Sequence, residues 1–500
     1  MIVRTGDSAP DSRRGKGACS DGSISETEPL AAADVQATFC ATLADEWARG
    51  GVTDVVVAPG SRSTPLALAM AADDRLRVHV HHDERSAGFM ALGLGLESGR
   101  PAVVVCTSGT AAVELHPAVV EAHQARVPLI VATADRPPEL QGVGAPQTIN
   151  QVNLYGASVR WFVAPGVADA VSSATWRALA ARAVAEATSG PTGPGPVHLN
   201  LAFREPLVGR PGPLPAGRPD GQPWHSTGGQ RVAVDRLGVA RLEELLDAGP
   251  GVIVAGAGCG DPAAVLDLAA AVGWPVIADH RSGCRIPHSH VVASADALLR
   301  HESFADAHRP AVVLRLGQPP ASKVLGQWLA ASGAVQVAIA EHGAWFDPDH
   351  TAAHVSWADP TAACTALART LTPAEPSWAA GWVRAEAAAQ AAFDAVLTEH
   401  EEITEPGLAR RLLASIPDGS TVVVSSSMPV RDVEWFGAPR AGVRVLANRG
   451  ANGIDGVTST AVGVALANAA AGGDPTFLLT GDVAFLHDTN GLLGAAARGI

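Results

Sequence analysis

Short apolar runs recur along most of the chain, each closed by a polar loop and followed by a stretch with helical spacing. Residues 39–49 have that helical spacing, and 54–58 read as a buried strand. The loop Pro59-Gly60-Ser61-Arg62-Ser63-Thr64-Pro65 then enters a helix predicted over 66–72. A strand from Val78 gives way to a helix rich in Gly and Ala, 87–97, and strands at 103–106 and 129–133 repeat the pattern. Strand, polar loop and helix in alternation predict a doubly wound α/β domain over 30–208. Residues 209–229, rich in Pro and Gly, read as a linker. A central α/β domain, 230–375, carries apolar runs at 252–255 and 312–316. The last domain, 376–500, shows helices to about 401 and over 405–415, strands at 421–424 and 444–447, and a glycine-broken loop at 448–456. A small-residue helix at 457–471 and a buried strand at 476–480 follow, with Gly481-Asp482 at the strand's carboxyl end.

Composition narrows the class. A chain that is 47% hydrophobic and 17% charged is globular, and its formal charge of -14 lacks the basic excess of a general nucleic-acid binder. Only Lys16 and Lys323 are lysines, so arginine carries nearly all the positive charge and single arginines say little. The six cysteines form no CxxC pair, which points to reduced thiols in a cytoplasmic protein. No apolar run reaches the length of a membrane span. Residues 1–29 lack the apolar core of a signal peptide and are expected to be a disordered extension.

Candidate chemistry gathers at the strand ends. In an open parallel sheet the carboxyl ends form the ligand crevice, so the loops with Ser61 and Arg62, with 107–110 and with Arg136 should share one rim, with Gln147 just beyond. Arg62 offers a bidentate fork to a carboxylate or phosphate. The cluster His79-Val80-His81-His82-Asp83-Glu84 invites a metal reading, but on a strand His79 and His81 face one way and His82 the other. Glu84 stands where strand becomes helix, as a helix-start charge or as a buried acid that handles protons. Gly256, Gly258 and Gly260 are similar to a dinucleotide turn without its full spacing, and Asp279 is a weak candidate for the acidic partner. Gly481 would let backbone approach a diphosphate, and Asp482 could hold the Mg2+ that bridges to its oxygens.

Six blocks stand in order at suitable spacing: APGSRSTPLAL (58–68), HHDERSAGFMALGLG (81–95), TSGTAAVEL (107–115), TADRPPEL (133–140), NRGANGIDG (448–456) and GDVAFLHDTNGLL (481–493). With them the chain, over about 31–500, resembles the thiamine-diphosphate (ThDP) enzymes. Among those it is most similar to the 2-succinyl-5-enolpyruvyl-6-hydroxy-3-cyclohexene-1-carboxylate (SEPHCHC) synthase family of menaquinone biosynthesis. The resemblance implies the ThDP-binding fold: three doubly wound α/β domains with parallel sheets, the first binding the pyrimidine and the last the diphosphate. It implies thiamine diphosphate with Mg2+ (or Mn2+), and active sites shared between subunits of a homodimer or homotetramer. The implied transferase reaction removes CO2 from 2-oxoglutarate and adds the succinyl unit to isochorismate.

Residue by residue, Glu84 matches the family's catalytic glutamate on the aminopyrimidine, and Asp482 matches the first metal ligand, with Gly481 beside the diphosphate. Ile454 matches the bulky apolar residue that keeps the cofactor bent. Ser61, Arg62, Arg136, Gln147, Lys323 and Ser427 are implied to line the substrate cavity together with Arg431 and Arg449, which are also counted as catalytic. Pro146 departs from the family, which often has Asn there. The family's further Asn-containing Mg2+ motif falls beyond Ile500, so the chain is read as a truncated form, expected to hold Mg-ThDP poorly as it stands. A rival ThDP enzyme, such as another 2-oxo acid decarboxylase or an acetohydroxyacid synthase, would keep Glu84 and Asp482 with a less cationic pocket. A non-catalytic nucleotide-binding protein would instead use the glycines at 256–260.

Overall fold

The structure, a computed structural model, describes residues 31–228, 232–473 and 475–500. The extension expected over 1–29 lies outside the described residues. Three parallel sheets organise the chain. The first holds β1 (Asp54–Val57), β2 (Arg77–Val80), β3 (Ala102–Cys106), β4 (Leu129–Asp135), β5 (Trp161–Val167) and β6 (Pro196–Ala202), in the order β2-β1-β3-β4-β6-β5. Every residue of β1, β3, β4 and β6 is buried, as expected of strands covered by helices on both faces. Strand order reverses between β1 and β3, the crevice where such sheets take ligands.

The middle sheet holds β7 (Gly251–Ala255), β8 (Val276–Ala278), β9 (Val291–Val292), β10 (Val312–Leu316), β11 (Val335–Ile339) and β12 (Ala352–Ser356), in the order β12-β11-β10-β7-β8-β9. A smaller sheet holds β13 (Thr421–Val424), β14 (Arg444–Leu446) and β15 (Thr476–Leu479), in the order β14-β13-β15. All pairings are parallel, so the loops after the strands of each sheet leave from one edge.

The first and third sheets meet through two helices. Helix Glu84–Ser98 is capped by Asp83, whose carboxylate accepts from Ser86 N at 3.0 Å, and it ends at Gly99 in the left-handed region. It lies against helix Val457–Ala470 at glycines on both sides. A Cβ at Gly93 would stand 2.1 Å from Thr460 O, and one at Gly463 would stand 2.1 Å from Met90 O. Only residues without side chains let the two backbones approach so closely.

Some expectations shift. Glu84 is the first residue of its helix, which begins three residues earlier than the sequence suggests, because Asp83 supplies the cap. Strand β2 stops at Val80, so His81 is not on it. The last helix covers Asp482–His487 and gives way to single turns at Thr489–Leu492 and Ala496–Arg498. Gly494 and Gly499 there adopt positive φ, which interrupts an α-helix. The Pro/Gly-rich stretch after 208 is not a free tether: Arg177 Nε donates to Pro215 O at 2.8 Å, and Trp224 N donates to the buried Glu46 carboxylate.

Candidate active site

Loops after β1, β3 and β4 build one wall. Gly60 lies against Thr107, where an added Cβ would come within 2.4 Å of the threonine Cβ, so the β1 and β3 loops touch at the switch point. Arg62 is buried there. Its Nη1 donates to Phe203 O at 3.0 Å and its Nη2 to Glu205 Oε1 at 3.1 Å, while its Nε has no partner among the described residues. Arg136 donates through Nη1 to Ser108 Oγ, and Ser108 Oγ in turn donates to Gln147 O at 3.0 Å. Burial pulls the Arg136 guanidinium down from its ordinary value, and the neighbouring charge of Arg62 pulls the same way. Two cations held side by side in part-buried surroundings are matched to anionic partners. Ser61 and Gln147 are exposed on the same rim, and Gln147 sits at φ 57.

Glu84 stands at the end of this wall. Its carboxyl is half-buried and has no side-chain hydrogen bond among the described residues. Burial raises it above the ordinary glutamate range, and Asp83 and Glu114 push the same way. Its own backbone amide is the one group that opposes the rise, and a carboxyl that keeps its proton more readily than usual is suited to share that proton with a ring nitrogen.

The metal reading of the histidines gives way to local pairing. His79 Nε2 lies 2.9 Å from Asp54 Oδ1, and His81 is buried between Asp83 N and Asn490 O, at 3.2 and 3.1 Å. His82 is exposed.

The third sheet's rim faces the same region. Ser427, at φ 74 before helix Met428–Phe436, is exposed, and so is Arg431, whose Nη1 lies 3.9 Å from Met428 Sδ. Arg449 is half-buried with its Nε unpartnered. Burial lowers its pKa, with the charges of Arg281 and Arg431 adding to this and those of Asp279 and Glu434 opposing it. Ile454 is half-buried in the loop after β14. Gly481 N donates to Ser425 Oγ at 3.2 Å, and the Asp482 carboxylate is exposed, its one hydrogen bond among the described residues being from Val483 N at 2.8 Å. An accessible carboxylate after a glycine with open space above its Cα can supply one ligand to a Mg2+–diphosphate group.

The two walls are tied together beside Glu84 and along the segment that follows Asp482. Arg85 Nη2 donates to His487 O at 2.7 Å, and Asn490 Nδ2 donates to Asp83 Oδ2 at 2.7 Å. Ser86 Oγ donates to Asp488 Oδ1 at 3.3 Å, and Asp488 also accepts from Ser459 N at 2.7 Å. The helix that begins with Glu84 therefore starts where the segment following Asp482 lands. Lys323 is the outlier: it opens a helix on the middle sheet, exposed and without a hydrogen bond or ion pair among the described residues.

Comparison with known proteins fits this arrangement. Residues 38–154 match the thiamine pyrophosphate enzyme N-terminal TPP binding domain, and residues 220–424 match the middle domain of thiamine pyrophosphate enzymes. The SEPHCHC synthase of Thermobifida fusca is 48% identical over 460 residues, covering 90% of this chain and 80% of that protein. Those of Chloroflexus aurantiacus and Myxococcus xanthus are each 44% identical, covering 91% and 93% of this chain and 79% and 81% of those proteins. This chain belongs to the SEPHCHC synthase family. Like the other family members it is an enzyme on a ThDP-binding α/β fold. Neither the acetohydroxyacid synthase rival nor the nucleotide-binding one is favoured.

Sequence reasoning missed two carboxylates of the site. Asp488 is buried and ties helix Val457–Ala470 to Ser86, yet in the sequence it is one more polar residue in a loop. Glu121 is buried on helix His116–Ala125 and accepts from Gly450 N and Ala451 N, both at 2.6 Å. Its signal was readable: positions 118, 121, 122 and 125 form one helix face of small apolar residues, interrupted only by Glu121.

Proposed function

We propose that this protein is a SEPHCHC synthase: with ThDP and a divalent metal it decarboxylates 2-oxoglutarate and adds the succinyl unit to isochorismate, releasing CO2. The observation that carries this reading is the pair of walls joined where the helix of Glu84 begins, one offering a raised carboxyl and the other, in Asp482, an exposed carboxylate after an open glycine. ThDP, when bound, supplies the carbon nucleophile and the electron sink for decarboxylation. The chain's own residues do the rest. Glu84 holds a proton at the pyrimidine side, and Asp482 with Gly481 holds the metal and diphosphate end. Ile454 presses the cofactor into shape.

Arg62, Arg136, Arg431 and Arg449, with Ser61, Gln147 and Ser427, bind and orient the substrates' carboxylates. Bidentate guanidinium–carboxylate contacts fix both position and angle, which is what brings a donor fragment and its acceptor to reacting distance. Lys323 reaches the cavity by a movement of its exposed side chain. Among the described residues no helix is long and apolar enough to cross a membrane, and the protein acts on small molecules. A cytoplasmic homodimer or homotetramer with shared sites, built from a pyrimidine-binding part (30–208), a central part (230–375) and a diphosphate-binding part (376–500), completes the reading. A coupled assay on the full-length protein with ThDP and Mg2+ tests it: turnover with 2-oxoglutarate and isochorismate is expected, and turnover with pyruvate in their place refutes it.

A further inference from the structure

Glu121 belongs to the first sheet's helices and contacts nothing in its own layer that explains a buried carboxylate. It lies on the last turns of helix His116–Ala125, only 3% exposed. Both its oxygens are used across the junction: Oε1 accepts from Gly450 N and Oε2 from Ala451 N, each at 2.6 Å. Burial raises its pKa, while these two amides, that of Asn452 and the charge of Arg449 pull toward the ionised form. Consecutive amides converging on one carboxylate form an anion-binding nest, here filled by the protein itself.

The loop is fitted to this contact. Gly450 sits so close to the helix that a Cβ would stand 2.6 Å from Ala125 N and 2.8 Å from Gln124 Cβ. Arg449 precedes the gripped amides and Ile454 follows them, in a stretch without helix or strand between β14 and helix Val457–Ala470. With Glu121 removed, burial would leave adjacent N–H groups without acceptors, and the loop would move to find them.

We infer that Glu121 is a positioning residue: by clamping the amides of Gly450 and Ala451 it sets where Arg449 and Ile454 stand in the site. This rests on the function proposed above for Arg449 and Ile454, but the clamp itself can be read without turnover. Hydrogen exchange on the ligand-free protein measures amide protection in peptides spanning 447–456. Glu121→Ala is expected to lower protection there by about tenfold and to leave the middle sheet unchanged, the value of a hydrogen bond to a charged group.

In the active enzyme the same variant is expected to raise KM for 2-oxoglutarate or isochorismate by about tenfold. A purely structural residue would lower the active fraction, and so kcat, while leaving KM alone. Glu121→Gln keeps one acceptor oxygen and is expected to fall between the variant and the parent in both readouts. Unchanged protection at 447–456, an unchanged KM, or loss of the whole fold in both variants would each overturn the inference. If the parent protein fails to turn over these substrates while the loop alone loses protection, the functional reading falls and the clamp stands.

Discussion

Two glycine turns, each closing a parallel strand at its carboxyl end, have opposite surroundings. Gly256 after β7 is buried, and a Cβ there would fall 1.7 Å from Gln318 O. Gly481 after β15 is partly open, and a Cβ there would meet nothing closer than Pro429 Cγ at 4.0 Å. In the sequence both are a glycine after an apolar run, and both invite a phosphate. The first needs its glycine because another loop of the same chain already occupies the approach. The second has open space above its Cα beside an exposed carboxylate. A glycine turn therefore marks close approach of something, and only the fold tells whether that is the protein or a ligand.

The largest effect should come from Glu84, the acid of the first wall. Glu84→Gln leaves both turns and the helix start in place but removes the proton-holding carboxyl. Proton exchange at the cofactor's C2 position, followed by NMR, is expected to slow by about a thousandfold with the circular dichroism unchanged. Exchange at the parent rate would remove Glu84 from the chemistry. In the parent, the raised Glu84 carboxyl predicts an acid limb of the rate profile above the ordinary glutamate range, absent from the residual activity of the variant.

Asp482→Ala strikes the open turn directly. The Mg2+ concentration needed to saturate ThDP binding, read by calorimetry, should rise by up to about a hundredfold, the scale on which metal sites respond to lost donors. Because Asp482 is exposed and bonded only to the neighbouring Val483 N, the melting temperature should hold. A large drop in melting temperature would mean the residue is structural after all. Gly256→Ala is the converse experiment on the closed turn: overpacking against Gln318 O should cost about 2 kcal/mol in urea unfolding, with ThDP affinity unaltered. Weakened cofactor binding in that variant would show the comparison to be drawn in the wrong place.

Much of this was readable from residue order, and the reasons are local. Residues 55–58, 103–106 and 129–132 are uninterrupted apolar runs followed by loops with Ser, Thr, Gly and Arg, so strands and rim follow from hydrophobic burial and turn chemistry alone. What stayed hidden depends on contacts far apart in the chain. Arg62 reads as an exposed loop arginine, yet it is buried against Phe203 and Glu205, which lie 141 and 143 positions away. Asp279 was weighed as a partner for a dinucleotide, but it is fully buried and bonded to Arg281, at 2.8 Å between Oδ2 and Nη2, beside the His280–Glu434 contact of 2.7 Å that joins the middle and third layers. Spacing rules place a residue on a face; they do not say which distant loop will cover it.

The smallest effect belongs to Asp432, a buried carboxyl of the third layer that touches neither turn. It lies on helix Met428–Phe436 one position after Arg431, and its Oδ1 has no hydrogen-bond partner among the described residues. Burial pushes it up to about 6, and the charge of Glu405 adds to this. In the unfolded chain the group loses its proton near its ordinary value of about 4. Between those two values the folded state binds more protons than the unfolded state, so stability falls as pH rises, and the loss is complete above about 6. Asp432→Asn keeps the shape and removes the charge. At pH 7 it should therefore raise the melting temperature by about 2 °C, the shift that roughly 1 kcal/mol produces in a domain of this size. The gain should shrink as the pH is lowered toward 4, where the parent carboxyl is itself protonated when folded. A gain that persists undiminished at low pH, or a loss at pH 7, would mean that the carboxylate is held by a contact that Asn cannot make. The strain would then lie in packing rather than charge.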